Sequence, residues 1–234
     1  NPANAYVREL VQSGALGKIM RFTGTYDQDQ LLDESLPITW RHINKLAGCG
    51  ALGDLGSHLL SISQFIMGDI TKVNAVATTV FPKRPKSAGS TEMVDVENED
   101  IMTFMAEYAN GAIGQIACSR VATGRKNYLT YEIQGTKGSV RYDLERMGEV
   151  QVYFQSDNER DRGFRTVLLN PLMKGYSAFQ PAGGISIAYN DMKILEVHAL
   201  FDAITNGADY VTDFEFGYKI DRTVAAVIES SKTH

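Results

Sequence analysis

Two periodicities alternate along this chain. After the run Gly48-Cys49-Gly50-Ala51-Leu52-Gly53, Leu55, Leu59, Ile62 and Ile66 recur at helical spacing, which predicts a helix through Met67 with one apolar face. A shorter helix carries Ala5, Leu10 and Val11 on one side and stops at Ser13-Gly14. Between and beyond them the period drops to two. Strands are predicted over 18–26, through Val73, Ala75, Ala77 and Phe81, and over 100–108 and 112–120. Asn110-Gly111 joins the last pair as a hairpin turn, because both residues accept the left-handed backbone that such turns need. Strands 128–134 and 139–142 flank Gly135-Thr136-Lys137-Gly138, and weaker ones follow near 150–154 and 164–169. Two helices close the chain. Ile194, Val197, Phe201 and Ile204 give the first an apolar face, and Asn206-Gly207 ends it. Thr212-x-x-Glu215 reads as a capping box for the second, with Ile220, Val224, Val227 and Ile228 inward. The segments 28–47, 82–95 and 170–189 read as loops, the middle one exposed.

Helices at the ends and hairpins in the middle, without regular βαβ alternation, predict an α+β fold: a large, mostly antiparallel or mixed sheet with helices on one face. The 234 residues suffice for one substantial core and read as a single domain, 1–234. A net charge of −5 and no basic cluster argue against nucleic-acid binding. No uninterrupted apolar run is long enough to span a membrane, so no membrane partner is expected. The two cysteines, Cys49 and Cys118, have neither metal-ligand nor disulfide-framework spacing, which fits a reducing, cytoplasmic setting.

The candidate chemistry sits at the start of the central helix. Asp54 and His58 are four apart, so a regular helix stacks them one turn above each other at the edge of the apolar face. An imidazole titrates near neutral pH, and a carboxylate one turn away can orient it and favour its charged form. Two plainer readings stand beside this one: Asp54 as a helix cap, and His58 as a half-buried, satisfied histidine. A metal site using Asp54, His58 and His42 is a further alternative, as is a non-catalytic binding or assembly module.

Trp40-Arg41, Gly48-x-Gly50 and Asp54-x-x-x-His58 together resemble the substrate-domain signature of the glucose-fructose oxidoreductase/inositol dehydrogenase (Gfo/Idh/MocA) family. Glu132-Ile133-x-Gly135-x-Lys137-Gly138-Ser139 and the C-terminal Phe201-x-Ala203-Ile204 and Asp213-Phe214 extend the resemblance along nearly the whole chain. It implies an NAD- or NADP-dependent oxidoreductase acting on a hydroxyl of a sugar or cyclic polyol. Asp54 and His58 would be catalytic, with a lysine from a Glu-Lys-Pro motif of a preceding dinucleotide-binding domain. Trp40, Arg41 and Tyr189 would reach the cofactor, and His42, Arg125, Lys126 and Asn127 the substrate. No resident metal is implied. The open sheet face would make a homodimer or homotetramer. Neither Gly-x-Gly-x-x-Gly after a strand nor Glu-Lys-Pro occurs here. The chain thus reads as a piece whose cofactor domain is missing, inactive by itself. One departure stands out: Gln180-Pro181-Ala182-Gly183-Gly184 lies where relatives carry a Trp-Pro-x-Gly-His-like string.

Overall fold

The computed structural model describes residues 1–233. The chain runs α1 (Pro2–Gln12), β1 (Ile19–Asp27), a single 3-10 turn (Trp40–His42), α2 (Asn44–Ala47), a π-turn (Leu52–Gly56) continuing into α3 (Ser57–Met67), and β2 (Ile70–Thr78). A small hairpin, β3 (Lys83–Pro85) and β4 (Met93–Asp95), comes next. The remaining strands and helices are β5 (Ile101–Tyr108), β6 (Ile113–Ser119), β7 (Tyr128–Gly135), β8 (Gly138–Asp143), β9 (Glu149–Phe154), β10 (Arg165–Leu168), α4 (Tyr189–Asn206) and α5 (Phe214–Ser230), with further 3-10 turns at Leu144–Arg146, Glu159–Asp161 and Tyr176–Ala178.

Eight strands form one sheet in the order β10-β9-β8-β7-β1-β6-β5-β2. Every neighbouring pair is antiparallel except β1 and β6, which run parallel, so the expected mixed α+β sheet is what the chain forms. Alternation sorts the side chains. Met102, Phe104, Ala106 and Tyr108 of β5 and Leu129, Tyr131 and Ile133 of β7 face a core closed by α3, which itself packs on α1, α5 and β1. Gly24 permits the close approach of α3: a Cβ there would stand 3.1 Å from a methyl of Leu59. On the other side of the sheet, Thr23, Thr25, Thr130, Glu132, Arg141 and Gln151 line an open groove of about 630 Å³.

A turn forms at Asn110-Gly111, but Gly111 alone is left-handed, at φ 84°, while the Asn110 side chain donates to the Met67 carbonyl and accepts from the Ala112 amide. Four details differ from the pattern. The central helix opens with i→i+5 bonding, which widens its first turn. The segment 82–95 is not simply an exposed loop. It forms the β3–β4 hairpin and buries Arg84 completely, whose guanidinium donates to the carbonyls of Leu31 and Asp33 and so pins the 28–39 segment. The cap of α5 is Asp213, one residue after Thr212, accepting from the Phe216 amide at 2.9 Å. On α4 the apolar face exists but is uncovered: Ile194, Val197, Phe201 and Ile204 are 57, 51, 61 and 70% exposed, because no described element packs over it. No helix of the described residues is long and apolar enough to cross a membrane.

Candidate functional site

Asp54 lies within the π-turn and His58 in the first turn of α3. The turn that carries Asp54 is bonded i→i+5 and is wider than a regular helical turn. Asp54 forms an ion pair with Arg41, Oδ2 to Nε at 3.3 Å, both side chains partly exposed. Neither of those two atoms has a hydrogen-bond partner. His58 meets the Tyr26 ring edge-on at a centroid distance of 6.0 Å.

Tyr26, the last inward residue of β1, joins the parts. Its hydroxyl donates to Oδ1 of Asn127 at 2.6 Å, and the same oxygen accepts from the Gln28 amide at 2.9 Å. Burial raises its phenol pKa, and the charges of Asp54 and Tyr189 add to that rise, while the Gln28 hydrogen bond opposes it. Tyr26, Asp54, His58, Asn127 and Tyr189 thus share one neighbourhood. Ser57, His58 and Ser61 open onto a cleft of about 570 Å³ whose far wall is the N-terminal part of α5, including Asp213 and Asp221.

Trp40 is 54% exposed with the Arg41 guanidinium 4.6 Å over its ring, and Tyr189, first residue of α4, is 60% exposed. The exposed Trp40 indole with a guanidinium beside it suits a planar cofactor ring and its carboxamide, whereas the Tyr189 ring has the Lys193 ammonium 5.7 Å from its centroid. Of the turn 125–127, Asn127 reaches the site. Arg125 stacks over Tyr128 at 3.6 Å, and Lys126 is tied to Asp29 at 2.6 Å.

His42 is placed differently from the substrate contact the resemblance implies. It is fully buried, and its Nδ1 accepts from the Thr39 amide at 3.0 Å. Burial, with the Arg120 and Arg84 cations, lowers its pKa from the ordinary 6.5 to about 4. Among the described residues no group of three His, Cys, Asp or Glu side chains is arranged to hold a metal ion. Because His42 is held neutral in the fold while the unfolded chain takes up a proton below 6.5, the stability it contributes is full above 6.5. That stability is lost as pH falls through the window from 6.5 to about 4. The loss should amount to about 3 kcal/mol. Urea unfolding across that window, compared with His42→Asn, checks this: the wild type should lose stability relative to the variant as pH falls, and parallel curves would contradict it.

The residues that sequence reasoning missed surround Arg41. Arg120 and Asp100 form a fully buried ion pair, Nε to Oδ1 at 2.9 Å. Arg120 and Asn98 both donate to the Arg41 carbonyl, at 3.3 and 2.9 Å. Glu99 binds the amides of Gly50 and Leu52. The local pattern that marks their place is the run of Asp95, Glu97, Glu99 and Asp100 before β5.

Residues 4–141, more than half of the chain, match the family model described as the GFO/IDH/MocA C-terminal domain. The chain belongs to the GFO/IDH/MocA family. It is similar to the levoglucosan dehydrogenase of Pseudarthrobacter phenanthrenivorans, at 38% identity over 98% of this chain and 62% of that protein. The structure of a levoglucosan dehydrogenase in complex with NADH superposes with a TM-score of 0.94, 38% identity and coverage of 99% of this chain and 61% of that one. An NAD binding oxidoreductase from Klebsiella pneumoniae superposes at 0.95 with 37% identity, over 100% and 62%. This GFO/IDH/MocA chain therefore spans a little over three fifths of the length of these relatives.

Proposed function

We propose that this chain is the substrate-binding part of an NAD- or NADP-dependent oxidoreductase that acts on a hydroxyl of a sugar or related polyol. The observation that carries the reading is the pairing of a partly exposed Asp54–Arg41 ion pair, with unused hydrogen-bonding capacity, and His58 on an open cleft beside Tyr26. The names of the levoglucosan dehydrogenase and its NADH and levoglucosan complexes support it. When bound, the nicotinamide supplies the hydride acceptor. His58 takes the hydroxyl proton as the carbon loses its hydride, and returns it in the reductive direction. Asp54 accepts a hydrogen bond from a neighbouring hydroxyl of the same sugar and so orients it, while Arg41 and Trp40 hold the cofactor side. Asn127 fixes Tyr26, and Tyr26 limits the tilt of the His58 ring. The cofactor's phosphates would be held by a further domain, since no glycine-rich strand-turn-helix lies among the described residues.

The test is reduction of NAD or NADP by the intact protein over a panel of anhydrosugars, aldoses and cyclic polyols. Turnover with at least one is expected; turnover with none would contradict the reading. We further assign the open sheet groove to a second copy of the chain, because an uncovered sheet face carrying Val76, Met105 and Ile113 gains from being buried. Sedimentation of the intact protein should give a dimer or larger species, and a monomer at micromolar concentration would refute that assignment.

A further inference from the structure

We propose that Glu99 is the positioning residue of this site: its carboxylate caps the widened turn that carries Asp54 and sets that turn against Arg41. The proposal rests on the reading of Asp54 and His58 as the reacting groups. The first amides of a helix have no acceptor inside it, and something must supply one. The usual supplier is the residue just before, yet no side chain there does so. Glu99 takes the role from the loop just before β5, far along the chain. Its Oε2 accepts from the Gly50 amide and its Oε1 from the Leu52 amide, each at 2.9 Å, while its carbonyl accepts from the Ala51 amide at 3.0 Å. Three successive amides therefore converge on one residue. A carboxylate in that place also complements the positive end of the turn's dipole.

The fit is close enough to dictate a neighbour. A Cβ on residue 50 would stand 1.9 Å from the Glu99 carbonyl oxygen, so only glycine permits this approach. The two residues adjoining Glu99 are fixed as well. Asp100 is locked in the buried pair with Arg120, and Asn98 donates to the Arg41 carbonyl at 2.9 Å. One short segment thus holds both sides of the Asp54–Arg41 pair, the turn through Glu99 and the strap through Asn98. Small errors in such placement are expensive for a reaction that needs near-attack geometry.

The experiment uses the intact enzyme with NAD and the best sugar of the panel. Glu99→Gln keeps one acceptor and sets an amide donor against the other N–H; Glu99→Ala removes both. We expect kcat to fall about tenfold in the first and about a hundredfold in the second, with the KM for NAD unchanged. Amide exchange over 50–52 should quicken in the same order. Gly50→Ala, which forces the same contact apart from the other side, should match Glu99→Ala. A kcat near wild type in Glu99→Ala would overturn the proposal, whether or not exchange quickens, since a cap alone is then all that Glu99 provides. A parallel loss of NAD affinity would overturn it too, because the effect would be general unfolding. His58→Ala in the same series keeps the two questions apart: full turnover there would refute the reacting-group reading, while exchange over 50–52 still reports the cap.

Discussion

His58→Ala in the intact enzyme is expected to lose turnover by about a hundredfold or more, the usual cost of removing a general acid–base group. The ring lies at the start of α3, faces an open cleft and is braced edge-on by Tyr26, so its removal leaves space where a proton acceptor stood. The backbone of α3 does not depend on it: the buried face of that helix is Leu59, Leu60, Ile66 and Met67. The loss should therefore appear in kcat, with stability and the KM for NAD little changed. Near-normal turnover with an unchanged pH profile would show that the proton goes elsewhere.

The largest effect on stability is expected from Arg120→Met. Arg120 and Asp100 are both fully buried, and each is satisfied several times over. Asp100 Oδ2 accepts from the amides of Val80 and Phe81, and Arg120 also donates to the carbonyls of Arg41 and Asn98. Removing the guanidinium strands a carboxylate in the core, which typically costs about 3–5 kcal/mol. Denaturant unfolding should show a shift of that size. Arg120→Met with Asp100→Leu, which removes both charges, should recover part of it. A shift below about 1 kcal/mol, the scale of a surface pair, would mean that water reaches the site.

What was legible in the chain follows the range of the forces involved. Asn110-Gly111 and the alternation of β5 and β6 depend on local backbone preference and on which face is dry, and both were readable. The face of α3 was readable for the same reason, with Leu55, Leu59 and Ile66 buried as the spacing predicts. The π-turn was not, and the carboxylate that meets the amides at its start, that of Glu99, lies far away along the chain where no local pattern contains it. Arg84 and Arg120 look like surface charges until the carbonyls and the carboxylate that surround them are assembled in space. His42 was misplaced by its sequence neighbours: it follows Trp40 and Arg41, but the 3-10 turn points its ring to Thr39 and the core. The apolar stripe of α4 was legible, while the sequence alone does not say whether such a stripe finds a cover within the same chain.

The central claim is that the turn carrying Asp54 and His58 handles the reacting hydroxyl. The most direct measurement is the structure of the intact protein with its cofactor and a sugar bound. The sugar hydroxyl on the carbon nearest the nicotinamide should lie within hydrogen-bond reach, about 2.6–3.2 Å, of a His58 ring nitrogen, with Asp54 accepting from a neighbouring hydroxyl of the same sugar. A sugar whose hydroxyl at that carbon faces other groups, with His58 and Asp54 both out of reach, would contradict the account.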